Sequence, residues 1–195
     1  MIQVALMDDH PAVLAGLRRL IDAEPNLRVV AAAPSAHELA RRLGGLRPDV
    51  LVLDYDIARG EGVSHCRRVK DRPNAPRVVI YSAYVSPALV LAARVANADA
   101  VVDKAEPVAT LLNAIRSVAN GEPALPVVPH EAYEGAVGRL DDEDLPVFAM
   151  LLDGEPSAAI AHTLRTNPAE IAWRTQRILG RLAPRIRTQP EERVA

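Results

Sequence analysis

The chain has 195 residues, 49% apolar and 25% charged, a globular balance that argues against disorder and against a fibrous protein. No apolar run reaches about 18 residues, which excludes a membrane-spanning helix, and the start, Met1 to Met7 followed by Asp8-Asp9, lacks the basic region and small-residue cleavage site of a secretory signal, so a cytoplasmic location is expected. A net charge of −2 excludes a general polycation, four Tyr, one Trp and one Phe are too few for a base-stacking platform, and the single Cys66 cannot form an internal disulfide and reads as a buried thiol.

Short apolar runs at 2–7, 27–32, 49–53, 77–81 and 99–103 have the near-continuous Val/Ile/Leu character of strands buried on both faces. The stretches between them, 11–23, 36–43, 62–70, 87–96 and 107–119, read as helices. The first places Leu14, Leu17 and Ile21 at spacings of three and four; Pro11, Pro87 and Pro107 suit helix starts and Gly121 a helix end. Five strand–helix units in a row predict an α/β domain over residues 1–120, a flavodoxin-like (βα)5 fold with a doubly wound parallel sheet.

Residues 121–139, punctuated by Gly121, Pro123, Pro126, Pro129, Gly135 and Gly138, read as a linker. Residues 140–195 read as a small all-α domain. A helix over 142–153 carries Leu145, Phe148, Ala149 and Leu152 on one face, and a short helix over 156–164 carries Ile160 and Leu164. Asn167-Pro168-Ala169-Glu170 then forms a capping box, and the helix it starts turns Ile171, Ile178 and Leu182 inward. Charge is segregated here: residues 140–155 hold six acids and no base, and residues 165–195 hold seven arginines against three glutamates. Arg174, Arg177 and Arg181 form a stripe that suits docking in a DNA major groove, with a solvated helix face as the alternative.

Ligands of open parallel sheets sit at the carboxyl ends of the strands. Those ends carry Asp8-Asp9, Asp54, Ser82 and Lys104. Three carboxylates crowded at one rim repel and raise one another's pKa, a conflict that a magnesium ion resolves through oxygen ligands. Asp54 is then placed to act as a nucleophile toward a phosphoryl donor, with Lys104 balancing the charge gained and the Ser82 hydroxyl donating to a phosphoryl oxygen. Each residue alone has a plainer explanation, a turn aspartate or a surface lysine; the argument rests on all four positions matching one reaction.

The stretches Met7-Asp8-Asp9-His10, Leu53-Asp54, Gly62, Ser82-Ala83 and Val102-Asp103-Lys104-Ala105-Glu106-Pro107, with 111–122, resemble a two-component response regulator of the NarL/FixJ type. The resemblance implies that Asp54 takes phosphate from a sensor histidine kinase or a small phosphodonor. It also implies Mg2+ held by Asp8, Asp9, Asp54 and the main-chain carbonyl of Asp56, and phosphate reading by Ser82 and Lys104. Residues 140–182 resemble the LuxR-type helix-turn-helix, from Leu140, Val147, Leu151 and Gly154 through Ile160-Ala161, Leu164 and Ile171 to Leu182. That implies a homodimeric transcription regulator of double-stranded DNA, not an enzyme, with Arg165, Trp173, Arg174, Gln176, Arg177 and Arg181 as contact residues.

The sequence also departs from these patterns. Ile57-Ala58-Arg59-Gly60 replaces the family's Met-Pro-Gly turn, and Val101 replaces the switch aromatic. Asp56 is an extra carboxylate, either a solvated loop acid or a modulator of phosphate lifetime. In the helix-turn-helix, Ala158, Glu170 and Ala172 stand where lysine, threonine and a basic residue are usual, and Arg165 replaces the turn glycine. Arg185 and Arg187 restore some positive charge in the tail, and Pro190 interrupts a final dimerisation helix. A receiver whose helical domain binds protein, with weak or no DNA binding, is the second expectation. A third, an aspartyl-phosphate enzyme of the haloacid-dehalogenase kind, is suggested by Asp54-Tyr55-Asp56 but disfavoured by the nucleophile's place on the third strand.

Overall fold

The computed structural model describes residues 1–57 and 61–184. The tail residues Arg185, Arg187 and Pro190 and the turn residues 58–60 lie outside the described residues. In the first unit β1 (Ile2–Met7), α1 (Pro11–Asp22), β2 (Leu27–Ala33), α2 (Ala36–Leu43) and β3 (Val50–Asp54) are followed by α3 (Gly62–Lys70), β4 (Arg77–Ser82), α4 (Pro87–Val95), β5 (Ala100–Asp103) and α5 (Val108–Ala119). The strands are all parallel, in the order β2-β1-β3-β4-β5. That is the flavodoxin-like, doubly wound arrangement the alternating pattern predicts.

The strands read as unbroken apolar runs because both faces of the sheet are covered. Side chains alternate: Val4, Leu6, Val50, Val52 and Val79 face Leu17 and Ile21 of α1 and Leu111 and Ile115 of α5. Ala5, Met7, Leu51, Leu53, Val78 and Ile80 enter the opposite core with α2, α3 and α4, and Cys66 lies buried there. Local capping agrees with this packing: the Ser35 and Ser86 hydroxyls accept from the backbone N–H of Glu38 and Leu89, both at 3.3 Å, and start α2 and α4.

The second unit comprises α6 (His130–Val137), a 3-10 turn (Asp142–Asp144), α7 (Leu145–Leu152), α8 (Ser157–Thr163) and α9 (Pro168–Leu182). Its first helix lies inside the stretch expected as a linker. Two glycines, Gly135 and Gly138, and a length of eight residues hide the helical period there. The linker's first part is also held: the Ala124 N–H donates to the Asp99 carbonyl at 2.8 Å and bridges β5 at Ala100. The helix expected over 142–153 begins as a single 3-10 turn and becomes α-helical at Leu145, where Pro146 fills a first-turn position. Asn167 accepts from the Glu170 N–H at 2.9 Å, as the capping box predicts. Helices α6, α7 and α9 pack on α4, and α9 also reaches α3, so one apolar core runs from the sheet through α4 into Val147, Phe148, Ile178 and Leu182. Among the described residues no helix is long and apolar enough to cross a membrane.

Candidate functional site

A parallel sheet brings all its carboxyl ends to one edge, and strand register brings the chemistry together. Leu53 pairs with Met7, Asp54 with Tyr81 and Ser82 with Asp103, so Asp8, Asp54, Ser82 and Lys104 share one rim. Asp8 and Asp54 are buried, at 3% and 1% exposure, and the Lys104 ammonium lies between them at 2.9 Å from each. The other Asp8 oxygen accepts from the His10 N–H at 2.8 Å, and Asp54 Oδ1 accepts from the Asp56 N–H at 3.2 Å. Asp54 Oδ2 is buried with no partner among the described residues. The Ser82 hydroxyl, fully buried, accepts from the Tyr84 N–H at 3.1 Å, which leaves its own O–H to donate.

Electrostatics follow from that burial. Desolvation pushes the Asp54 carboxyl above its ordinary range, opposed by Lys104 and reinforced by Asp8. Burial alone would lower Lys104, but its bonds to Asp8 and Asp54 outweigh it and hold the ammonium charged. Asp56 is pushed up by burial and then by Asp54; its Oδ1 is buried and unpartnered among the described residues, so it is no solvated loop acid. Asp9 is exposed and meets the His10 ring at 2.8 Å. One ligand atom from each of Asp8, Asp9, His10 and Asp54 falls within 4.8 Å of the others, a donor set that fits a small cation. His10 is the member that residue chemistry alone did not single out, although it sits in the quoted Met7–His10 stretch.

Gly62, at the start of α3, is required by close approach. A Cβ there would lie 2.7 Å from the carbonyl oxygens of Asp54 and Tyr55, so α3 rests directly on the loop that follows β3. Val101 is buried at 6% in the core beneath α4, with no ring to move.

The helix-turn-helix is formed by α8 and α9, and Arg165 in the turn adopts φ +53°, the left-handed conformation of the glycine it replaces. The arginine stripe is half-buried and paired with acids. Arg177 Nε and Nη2 donate to Asp144 at 2.8 and 2.5 Å and Nη2 also to Glu143 at 2.6 Å. Arg174 pairs with Glu170 at 3.1 Å and Arg181 with Asp141 at 2.8 Å. Asp144 is fully buried, so Arg177 neutralises an interior charge as well as lining the helix. Trp173 is 56% exposed, with the Arg177 guanidinium 4.5 Å from its ring centre, Gln176 is half-buried and Arg165 exposed.

Residues 4–116 match the response regulator receiver domain family. The chain belongs to that family. Over 97% of its length this response regulator is 31% identical to the DNA-binding transcriptional activator DevR/DosR of Mycobacterium tuberculosis, covering 92% of that protein. A solved two-component response regulator of the LuxR family from Aurantimonas sp. SI85-9A1 matches 71% of this chain and 98% of its own at 33% identity and a TM-score of 0.58. RcsB of Salmonella enterica serovar Typhimurium, solved bound to a promoter, shares the fold at 21% identity and a TM-score of 0.61, over 93% of this chain and 92% of that one.

In this response regulator the pocket is wired to the helical unit by side chains that sequence reasoning missed. Tyr55, next to Asp54 and 1% exposed, donates its O–H to the Pro184 carbonyl just past α9 at 2.7 Å. Burial, then Asp56, pushes its phenol up to about 12, so it stays a donor at any physiological pH. Arg67 of α3, 2% exposed, pairs with Asp71 at 3.0 Å and donates to the Ser157 hydroxyl at the start of α8 at 3.0 Å; Ser157 in turn donates to Asp71 at 3.0 Å. The available signal was Arg67's place on the buried face of α3, four residues after Val63.

Proposed function

We propose that this response regulator is phosphorylated on Asp54 and that the phosphoryl group controls DNA binding and transcription through α8 and α9. The observation that carries the reading is the buried, unpartnered Asp54 Oδ2 flanked by Asp8, Lys104 and Ser82. In the transfer, the Asp54 carboxylate attacks phosphorus, and the bond to the phosphohistidine of a sensor kinase, or to a small acyl phosphate's leaving oxygen, breaks. The new group adds about −1.5 to −2 charges. Lys104 follows that charge from the carboxylate to a phosphoryl oxygen, and the Ser82 hydroxyl donates to another. The acid set and the orphaned Asp54 oxygen fit Mg2+, for which we propose Asp8, Asp9, Asp54 and the Asp56 main-chain carbonyl as ligands; when bound, the ion supplies charge neutralisation as the phosphoryl group arrives.

Output runs through the contacts beside Asp54. A phosphoryl group on Asp54 bears on Tyr55 and on the α3 start at Gly62, and so on the links to Pro184 and Ser157. We propose contacts to double-stranded DNA from Arg165, Trp173 and Gln176, joined by Arg174 and Arg181 where the phosphate backbone competes for them with Glu170, Glu143 and Asp141, and by Arg177 through the Nη1 that its bonds to buried Asp144 and to Glu143 leave over. The protein works in the cytoplasm as a homodimer. Intact mass after incubation with Mg2+ and acetyl phosphate is expected to show one phosphoryl group on the wild type and none on Asp54→Asn. An unmodified wild type overturns the phosphoacceptor assignment. Gel retention on genomic fragments at low salt tests the output; no retention in either state replaces DNA with a protein partner.

A further inference from the structure

Helices α2 and α3 cover the same face of the sheet. An open groove of about 670 Å3 separates them, within the range of small-molecule sites. Its accessible apolar walls are Ala36, Ala40, Leu43 and Val69, with the buried Leu39, Met7 and Leu51 beneath them. The gap has a cause in sequence: α2 presents Ala36 and Ala40 to it, and neither side chain can reach across.

The rim is basic. Arg47, Arg68 and Arg72 surround the mouth, and Glu61 is the one acid of the lining among the described residues. Arg68 is engaged, bonding His65 and lying 3.9 Å from Glu61. Arg47 and Arg72 are exposed and have no carboxylate partner among the described residues. Burial, then Arg68, pushes the His65 imidazole down, so it adds a neutral hydrogen-bonding group at neutral pH. A groove of this volume with apolar walls under unpaired guanidinium groups suits one small molecule.

We propose that the groove binds a small amphipathic anion, an acyl or aryl body lying between Leu43 and Val69 with its carboxylate or phosphate held by Arg47 and Arg72. The assignment stands independently of phosphotransfer at Asp54. Occupancy bears on the rest of the molecule through α3, which touches the Asp54–Tyr55 backbone at Gly62 and holds the Arg67 contact to α8.

The test is calorimetric titration of the full chain with dodecanoate, dodecyl phosphate and, as a charge control, dodecyltrimethylammonium, each below its micelle concentration. Saturable one-to-one binding of an anion is expected, with the favoured head group distinguishing a fatty acid from a phosphate ester, and no binding of the cation. Ala40→Trp, at an exposed position, fills the groove and is expected to abolish binding. The pair Arg47→Glu and Arg72→Glu, also exposed, is expected to weaken it at least about tenfold through two lost charge-assisted contacts. Absence of saturable anion binding overturns the proposal. So does cation binding of equal strength, or binding unchanged in both variants while their circular dichroism matches the wild type.

Discussion

Replacing Ser157 by alanine isolates the link between α3 and α8. The hydroxyl accepts from Arg67 Nη2 and donates to Asp71 Oδ1, both at 3.0 Å. Arg67 is 2% exposed but keeps its ion pair with Asp71 at 3.0 Å in the variant, so no buried charge is orphaned. Both lost bonds join charged groups, the Arg67 guanidinium and the Asp71 carboxylate; water at the half-buried site and the remaining Arg67 bond to the Glu155 carbonyl offset part of the loss, leaving about 1.5 kcal/mol. Each 1.4 kcal/mol is roughly a factor of ten, so the population with α8 detached from α3 rises about tenfold. Native-state hydrogen exchange reads this directly: the hydrogen-bonded amides at the end of α3, such as Asp71, and in α8, such as Ile160, exchange about tenfold faster while those of α1, on the far side of the sheet, do not change. Proteolysis within residues 121–129 accelerates in parallel. Exchange within twofold of wild type at both helices refutes the link. Tyr55→Phe removes the second tie, the 2.7 Å bond to Pro184, and a double-mutant cycle measures how far the two act together.

Other outcomes follow from the same geometry. Asp56 has its carboxyl raised from 3.8 by burial and Asp54, so the folded state holds a proton the unfolded chain has lost, and stability falls as pH rises from about 4 through the folded value. Asp56→Asn is therefore expected to raise Tm at pH 7 but not at pH 3 and to change phosphoaspartate decay severalfold; identical decay curves and Tm contradict its place in the pocket. Gly62→Ala forces a Cβ to 2.7 Å from the Asp54 and Tyr55 carbonyls and is expected to cost about 1–3 kcal/mol in urea unfolding, with slower phosphorylation by acetyl phosphate. Glu143→Gln removes an acid that faces the stripe and loosens Arg174, while buried Asp144 still holds Arg177 at 2.8 and 2.5 Å, so DNA affinity at low salt rises through Arg174 and the lost negative charge and the salt dependence steepens. Arg165→Gly relieves a φ of +53° and is expected to stabilise the chain by about 1 kcal/mol, while weakening DNA retention evenly across sequences.

The rim was legible because parallel topology makes a one-dimensional rule of it: whatever follows a buried Val/Ile run lies at one edge, so Asp8, Asp54, Ser82 and Lys104 could be assembled without coordinates. Spacing within a helix says nothing of what stands opposite it. Arg174, Arg177 and Arg181 make the same stripe whether they face water, DNA or acids, and their partners Glu143, Asp144 and Asp141 come from a turn some thirty residues upstream. The acidic run at 140–155 was the visible half of that pairing. Tyr55 and Pro184 are 129 positions apart, and no periodicity reports such a contact. Helix α4 did carry a signal: Pro-Ala-Leu-Val-Leu-Ala-Ala-Arg-Val is apolar on nearly every side, the pattern of a helix covered all round.

That helix limits how far the two units can part. At 100° per residue, Leu91, flanked by Val90 and Val95, turns away from the side that carries Leu89, Ala92 and Ala93, yet all six are buried. Helices α6, α7 and α9 provide the second cover. Stripping it returns Val90, Leu91 and Val95 to water at roughly 1.5–3 kcal/mol each, on the order of 5–9 kcal/mol before the facing surface is counted. Coupling between two sites is typically about 1–3 kcal/mol. Release of the Tyr55 and Ser157 bonds falls within that range; exposure of α4 does not. The phosphoryl group proposed for Asp54 therefore has enough leverage to loosen α9, with the α8 packed on it, over α4 but not to bare it. Complete separation requires another apolar surface to take α4's face, and a second copy of the chain is one that carries it.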